Sequence, residues 1–317
     1  MPSYSGVWNL VSVYQAVAQG NWTNPPTPIV YFFPSSGLNV ISYVITTSTG
    51  NAVDFGDTTQ AYSRTTAFSS STRGVMSAGY NAASNNSNTI EYITFSSVGN
   101  SADFGDTTVA RNYLTSCSNS TRGIMAGGNT SGAGFTPSNI MDYVTIATTG
   151  NATDFGDCTV TRIGAAGCAS PTRGVFAGGF QDGVTYLDNI DYVTIATTGN
   201  ATNFGALTFA RYSEAGCSSD TRGVFAGGWN STVGYFNVID YITITTTGNA
   251  ADFGDLTGTG ELENGGASSN GRGLFAGGSF GNVIQYITIA TTGNATDFGD
   301  LLQSSRVSAC SNSHGGL

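Results

Sequence analysis

The chain contains no lysine. Its ten basic residues are all arginine, against twenty Asp and Glu, and only 9% of its 317 residues are charged. A net charge of -10 without a basic cluster argues against nucleic-acid binding, because counterion release needs grouped cations. Histidine is nearly absent as well: His314 is the single copy, three residues from the carboxy end. That inventory speaks against a Ser-His-Asp triad and leaves zinc or copper sites short of ligands, so no metal, no cofactor and no enzymatic activity are expected. No run of about 18 apolar residues is present to span a membrane. The amino terminus carries no Lys or Arg ahead of its apolar part, so a secretory signal is not expected. The Glu, Lys and Leu that build long helices are also scarce.

What is abundant is glycine, 44 residues, together with Ser, Thr and Asn, a composition suited to short strands and tight turns. These residues recur at a fixed period. Arg-Gly begins at Arg73, Arg122, Arg173, Arg222 and Arg272, in steps of 49, 51, 49 and 50 residues. Asp-Phe-Gly-Asp or a variant of it begins at Asp54, Asp103, Asp154, Asn203, Asp252 and Asp297, six copies at nearly the same spacing. Each unit holds several short β-like runs, and a period of this size predicts a β-propeller with one blade per repeat. In one unit the four strands, here a to d, are expected near 163–168, 174–178, 190–197 and 201–207, with Thr198-Gly199-Asn200 turning from c to d.

The repeat starts and stops inside a unit. Tyr31 to Tyr43 aligns without gaps to Leu274 to Tyr286, and Cys310 to Leu317 aligns to Cys217 to Val224. One blade must therefore take its innermost strand from the carboxy end and its other three from residues 29 to 57, which closes the ring and hides its edges. The expected fold is all-β: a six-bladed propeller over residues 29–317, preceded by a separate segment 1–28. Four of the five cysteines (Cys117, Cys168, Cys217, Cys310) hold one equivalent repeat position. Such positions lie too far apart to bridge, so they are expected to be small buried hydrophobes, and Cys158 has no implied partner.

In segment 1–28, Val7, Leu10, Val11, Tyr14, Val17 and Ala18 fall at helical spacing, and Asn24 to Pro28 reads as a stiff extended linker. Trp8, Leu10, Val11, Tyr14 and Trp22 supply an apolar surface expected to anchor the protein to a larger assembly, the alternative being packing on its own propeller.

The repeats resemble the Kelch type, in which an apolar strand ends in a Gly pair, a Tyr follows on the next strand, an aromatic on the fourth, and an Arg opens the next unit. The Gly pairs are Gly127-Gly128, Gly178-Gly179, Gly227-Gly228 and Gly277-Gly278, weakened to Ala78-Gly79 in one unit. The tyrosines are Tyr43, Tyr92, Tyr143, Tyr192, Tyr241 and Tyr286. Arg64, Arg111, Arg162, Arg211 and Arg306 stand as openers, with none before Leu262, and Phe replaces the usual Trp. The resemblance implies a propeller and leaves enzyme, adaptor and adhesin open. The near-identical copies, absent lysine and Ser/Thr/Gly/Asn bias also resemble bacteriophage virion proteins, particularly tail or fibre components. Asp-Phe-Gly-Asp is similar to the sialidase Asp-box, yet lacks its closing Trp and becomes Asn203 and Ala206 in the fourth copy. Its Asp residues are expected to cap the c–d turn or to pair with the repeated arginines.

The loops joining b to c vary while the strands hardly do. They carry Tyr80, Phe135, Phe180, Tyr186, Trp229, Tyr235, Phe236 and Phe280. Divergent aromatic loops on a rigid scaffold suit a host-surface glycan or a protein partner; the competing reading is local packing on the blade tops. The expected function is a non-enzymatic virion component, joined to other virion proteins through residues 1–28 and compatible with homo-oligomerisation. A cellular or secreted adhesin or adaptor, cytoplasmic or extracellular, is the alternative, with a glycoside hydrolase the least favoured.

Overall fold

The structure, a computed structural model, describes residues 27–317 except 78, 82, 84, 133, 259–264, 270, 279 and 280. The expected amino-terminal helix, with Trp8, Leu10, Val11, Tyr14 and Trp22, lies outside the described residues, as does Phe280. The rest is all β: six antiparallel four-stranded blades arranged as a propeller.

From the axis outward, the seam blade runs Val307–Ser311, Ile29–Pro34, Ser36–Ile45 and Val53–Ser63. The second is Thr66–Ser69, Arg73–Ser77, Thr89–Thr94 and Ala102–Asp106, and the third Thr115–Ser118, Arg122–Ala126, Ser138–Thr145 and Thr153–Arg162. The fourth is Ala166–Ala169, Arg173–Ala177, Asn189–Thr194 and Thr202–Ala206; the fifth is Ala215–Ser218, Arg222–Ala226, Val238–Thr243 and Ala251–Asp255. The sixth is Gly265–Ser269, Arg272–Ala276, Val283–Thr288 and Thr296–Asp300. The innermost strands touch in a closed circle, with Val307–Ser311 seated between Gly265–Ser269 and Thr66–Ser69. At the seam Tyr31 pairs with Cys310 and Phe32 with Ala309, so the two chain ends share one sheet as the alignment of the repeats requires.

The core is six apolar wedges, one between each pair of neighbouring blades. The wedge between the third and fourth, for example, joins Cys117, Ile124, Met141 and Phe155 to Phe176, Val193 and Ile195. Burial on both faces explains why the third strands do not alternate cleanly: Ile190 and Asp191 are both fully buried. All five cysteines are buried free thiols. Cys117, Cys168, Cys217 and Cys310 act as spacers at blade interfaces: a Cβ placed on Gly223 would stand 2.7 Å from Cys168 Sγ, so the Gly of Arg-Gly leaves room for the sulfur of the preceding blade.

The arginine beside that glycine rivets blades together. Arg173 lies over the Tyr192 ring at 4.6 Å and donates to the Ile244 carbonyl of the next blade at 2.9 Å. Arg73, Arg122, Arg222 and Arg272 repeat the arrangement. Tyr192 in turn meets Phe204 edge-on, which accounts for the recurring Tyr and Phe.

Asp-Phe-Gly-Asp does not do what its sequence suggests. It forms the outermost strand, and its backbone binds the c–d turn of the next blade: Gly199 N–H donates to Phe155 O, and Asp157 N–H donates to Asn200 Oδ1. Gly156 has φ 136° and approaches Gly199 so closely that a Cβ would stand 2.6 Å from its carbonyl oxygen. This backbone latch recurs between all six blades, which is why Asn203 and Ala206 can replace the carboxylates in one copy.

Candidate ligand-binding face

The b–c loops and the d–a connections share one end of the propeller. Isolated bridges join Ser63 to Tyr80, Asn112 to Asn129, Ile163 to Phe180 and Tyr212 to Trp229, pinning each loop to the connection beside it.

Beneath this face lies a ring of buried polar pairs. Arg111, Arg162 and Arg211 are fully buried and bond Asp142, Asp191 and Asp240 on the third strands, not the carboxylates of Asp-Phe-Gly-Asp. Arg162 also donates to the Gly178 carbonyl at 3.0 Å, which ties the loop stem to the ion pair. In the second blade the acid is Glu91, and its partner is the buried Tyr62 hydroxyl at 2.7 Å. Tyr62 therefore fills the structural place of the arginine, and Arg64, read from sequence as an opener, does not.

Arg64 instead occupies a left-handed position with φ 58°, matched by Tyr113 at 57°, Gly164 at 57° and Ser213 at 59°. Consecutive members are hydrogen-bonded around the axis: Tyr113 N–H donates to Arg64 O, Gly164 N–H to Tyr113 O, and Ser213 N–H to Gly164 O. Arg64 N–H donates to Ser35 O and Ser35 N–H to Arg306 O, extending the chain across the seam. Among the described residues this collar lines the mouth of the central channel, a cavity of about 120 Å³ whose walls include Arg64, Thr65, Tyr113, Thr115, Ser213 and Glu214.

The Arg64 guanidinium is held between the rings of Tyr80 at 4.6 Å and Tyr113 at 4.5 Å. Both carboxyl oxygens of buried Glu214 lack a hydrogen-bond partner among the described residues, as do Nε of Arg162 and Arg211. Burial pushes the Glu214 carboxyl up to about 8, against the pull of Arg211 and Arg162, so it holds its proton at pH 7.

Beside the mouth the rings form a ridge over three blades. Phe135 meets Phe180 at 5.3 Å, Phe180 meets Tyr186 at 4.8 Å, and Tyr186 meets Trp229 at 5.6 Å. Tyr212 touches Phe180, Tyr186 and Trp229, and it reaches the collar at Gly164. Phe135 and Tyr235 are about two-fifths exposed, at 41% and 40%, while Tyr80, Phe180, Tyr186 and Trp229 are half-buried. Phe236 is buried, packed against Phe209 and near Arg211, and supports the loop from below. The sequence reading missed Arg64, Tyr113 and Tyr212, because they sit in the d–a connections and not in the loops that vary most.

The far end of the channel is crossed by the carboxy-terminal residues. His314 Nδ1 accepts from Gly316 N–H at 3.1 Å, so Nε2 carries the proton and donates to Ser69 O at 3.0 Å. Burial holds this imidazole below its usual value, in the neutral form. The two ends of the channel thus differ: one is crossed by the chain terminus, and the other is rimmed by rings and a cation. No protein-family model matches the chain, and no curated protein matches it.

Proposed function

We propose that this is a non-enzymatic binding protein of a bacteriophage virion, in its tail, fibre or capsid surface, which engages a host-surface glycan or protein through the face bearing the b–c loops. The observation that carries the reading is the unbroken contact series Phe135–Phe180–Tyr186–Trp229, with Tyr212 beside it. Mutually packed rings hold fixed orientations at little entropic cost, and their faces suit the C–H surface of a sugar or an apolar partner side chain. The recurring Tyr, Phe and Gly support descent from Kelch-type repeats, and the absence of lysine with near-identical copies supports the virion assignment. Residues 1–28 would attach the propeller to other virion proteins.

A glycan array probed with wild type and Trp229→Ala tests the face. The variant should lose about 2 kcal/mol, some thirtyfold in Kd, as expected for a central aromatic anchor. An unchanged profile removes Trp229 from the site. Mass spectrometry of purified particles tests the virion assignment, which fails if the protein is missing from them.

A further inference from the structure

We infer that Arg64 marks a carboxylate-binding subsite at the mouth of the central channel, so that the ligand of this face is an acidic saccharide. The inference rests on the glycan-binding reading of the aromatic face and goes further by naming the charge of the ligand and the residue that meets it.

Arg64 differs from the other cations of the propeller. Arg111, Arg162 and Arg211 are spent on buried aspartates, and Arg73, Arg122, Arg173, Arg222 and Arg272 on carbonyls of the next blade. The Arg64 guanidinium lies over two rings, at 4.6 Å from Tyr80 and 4.5 Å from Tyr113, yet it donates to no acceptor among the described residues. Contact with two rings restricts the guanidinium and leaves its N–H donors to a ligand, and a planar fork of this kind matches a carboxylate. An ammonium or a free guanidinium would be far less oriented.

The backbone adds an independent argument. A non-glycine residue at φ near +60° costs on the order of 1 kcal/mol, and the collar shows the relaxed solution at the same position in Gly164. The collar nevertheless presents Arg64, Tyr113 and Ser213 to the cavity. Ser213 is 4% exposed, and its hydroxyl is buried without a partner, a polar group that a ligand oxygen at the same cavity would satisfy. Strained backbone and an unsatisfied hydroxyl on one rim have no use in the blade packing, and a ligand-binding role would account for both.

Size and charge narrow the class. A volume of about 120 Å³ is close to the ~150 Å³ that admits one benzene molecule, so the mouth takes one end of a single six-membered sugar ring. The adjoining rings offer the surface on which the rest of an oligosaccharide would lie. A net charge of -10 disfavours a peptide bearing many carboxylates more than a glycan bearing one.

The test is an array of matched oligosaccharide pairs, with and without a terminal sialic or uronic acid, probed with wild type, Arg64→Gln and Trp229→Ala, each first shown to melt cooperatively. Wild type should prefer the acidic member of each pair. Arg64→Gln should lose that preference by roughly ten- to a hundredfold, the loss of a hydrogen bond to a charged group, while keeping binding to neutral partners. Equal binding to acidic and neutral members, or an acidic preference that survives Arg64→Gln, overturns the subsite while Trp229 dependence would still uphold the face. Arg64-dependent binding of a glutamate-rich peptide with no glycan bound overturns it in favour of a peptide ligand. Silence of the array to all three proteins overturns the subsite and the glycan reading together.

Discussion

At the scale of single residues, the polar interior beneath the face that carries the b–c loops is graded from blade to blade. Asp142, Asp191 and Asp240 meet arginine, Glu91 meets Tyr62, and Gln285 at the same position accepts from the Thr257 hydroxyl and N–H. A buried ion pair contributes little net stability, so its replacement by neutral partners elsewhere in the ring is physically unsurprising. Glu214 is the exception, because it enters between two such pairs without a partner of its own. Arg162 and Arg211 pull its proton off and Asp240 holds it on, but burial outweighs them all. The folded carboxyl titrates near 8, whereas in the unfolded chain it titrates near its ordinary 4.5. Its raised value means that the folded state binds the extra proton in that window. Stability from this group is therefore complete below about pH 4.5 and falls as pH rises through 8, with a slope of at most ~1.4 kcal/mol per pH unit. Glu214→Gln keeps the shape and removes the charge. It should leave the melting temperature near pH 4.5 almost unchanged and raise it by several degrees at pH 8. Melting curves across that range check this, and identical pH slopes for the two proteins would exclude Glu214 as the cause.

At the scale of elements, the sequence motifs turn out to describe interfaces between blades more than features within them. The period, the four strands per unit and the composite blade were legible because repetition multiplies a weak local signal. The role of Asp-Phe-Gly-Asp was not, since its hydrogen bonds are made by backbone and reach a turn 43 residues further on, as between Asp157 and Asn200. Arg64 resembled an opener for a related reason: it is the arginine that follows Asp-Phe-Gly-Asp in its unit, while the buried position is filled by Tyr62, a different residue with the same hydrogen-bonding task. The Arg-Gly and Cys positions, by contrast, can be tested as one contact. Gly223→Ala pushes a methyl group toward Cys168 Sγ and, at 3.1 Å, toward Ile242 Cγ1, and overpacking of this kind costs about 1–3 kcal/mol. Cys168→Ala removes the sulfur that stands in the way. The double variant should recover part of the loss, giving a coupling energy of at least ~0.5 kcal/mol in denaturant titrations. Strict additivity would show that the two residues do not share the interface.

At the scale of the whole molecule, ring closure decides whether the proposed binding face can form, because ridge and collar are each assembled from several blades. The collar passes from Gly164 and Ser213 through Tyr113 and Arg64 to Ser35 and Arg306, so it crosses the seam where the two chain ends meet. Five register pairs, from Val30 with Ser311 to Pro34 with Val307, hold that seam. At about 1 kcal/mol for each net hydrogen bond, and with Val307, Ala309 and Cys310 buried in addition, the last strand supplies several kcal/mol. A single-domain protein has only about 5–15 kcal/mol in all, so losing this strand removes a large share of it. It would also uncover the edge of Ile29–Pro34, whose Val30, Tyr31, Phe32 and Phe33 form an apolar run open to pairing with other chains. A chain ending at Arg306 should therefore lose its single cooperative melting transition and elute as aggregate on gel filtration. Adding a synthetic peptide of residues 303–317 during refolding should restore part of the monomer by supplying the missing strand. If the shortened chain stays monomeric and melts within a few degrees of the full one, the ends do not close the ring, and a collar built across the seam cannot be the organising feature of the face.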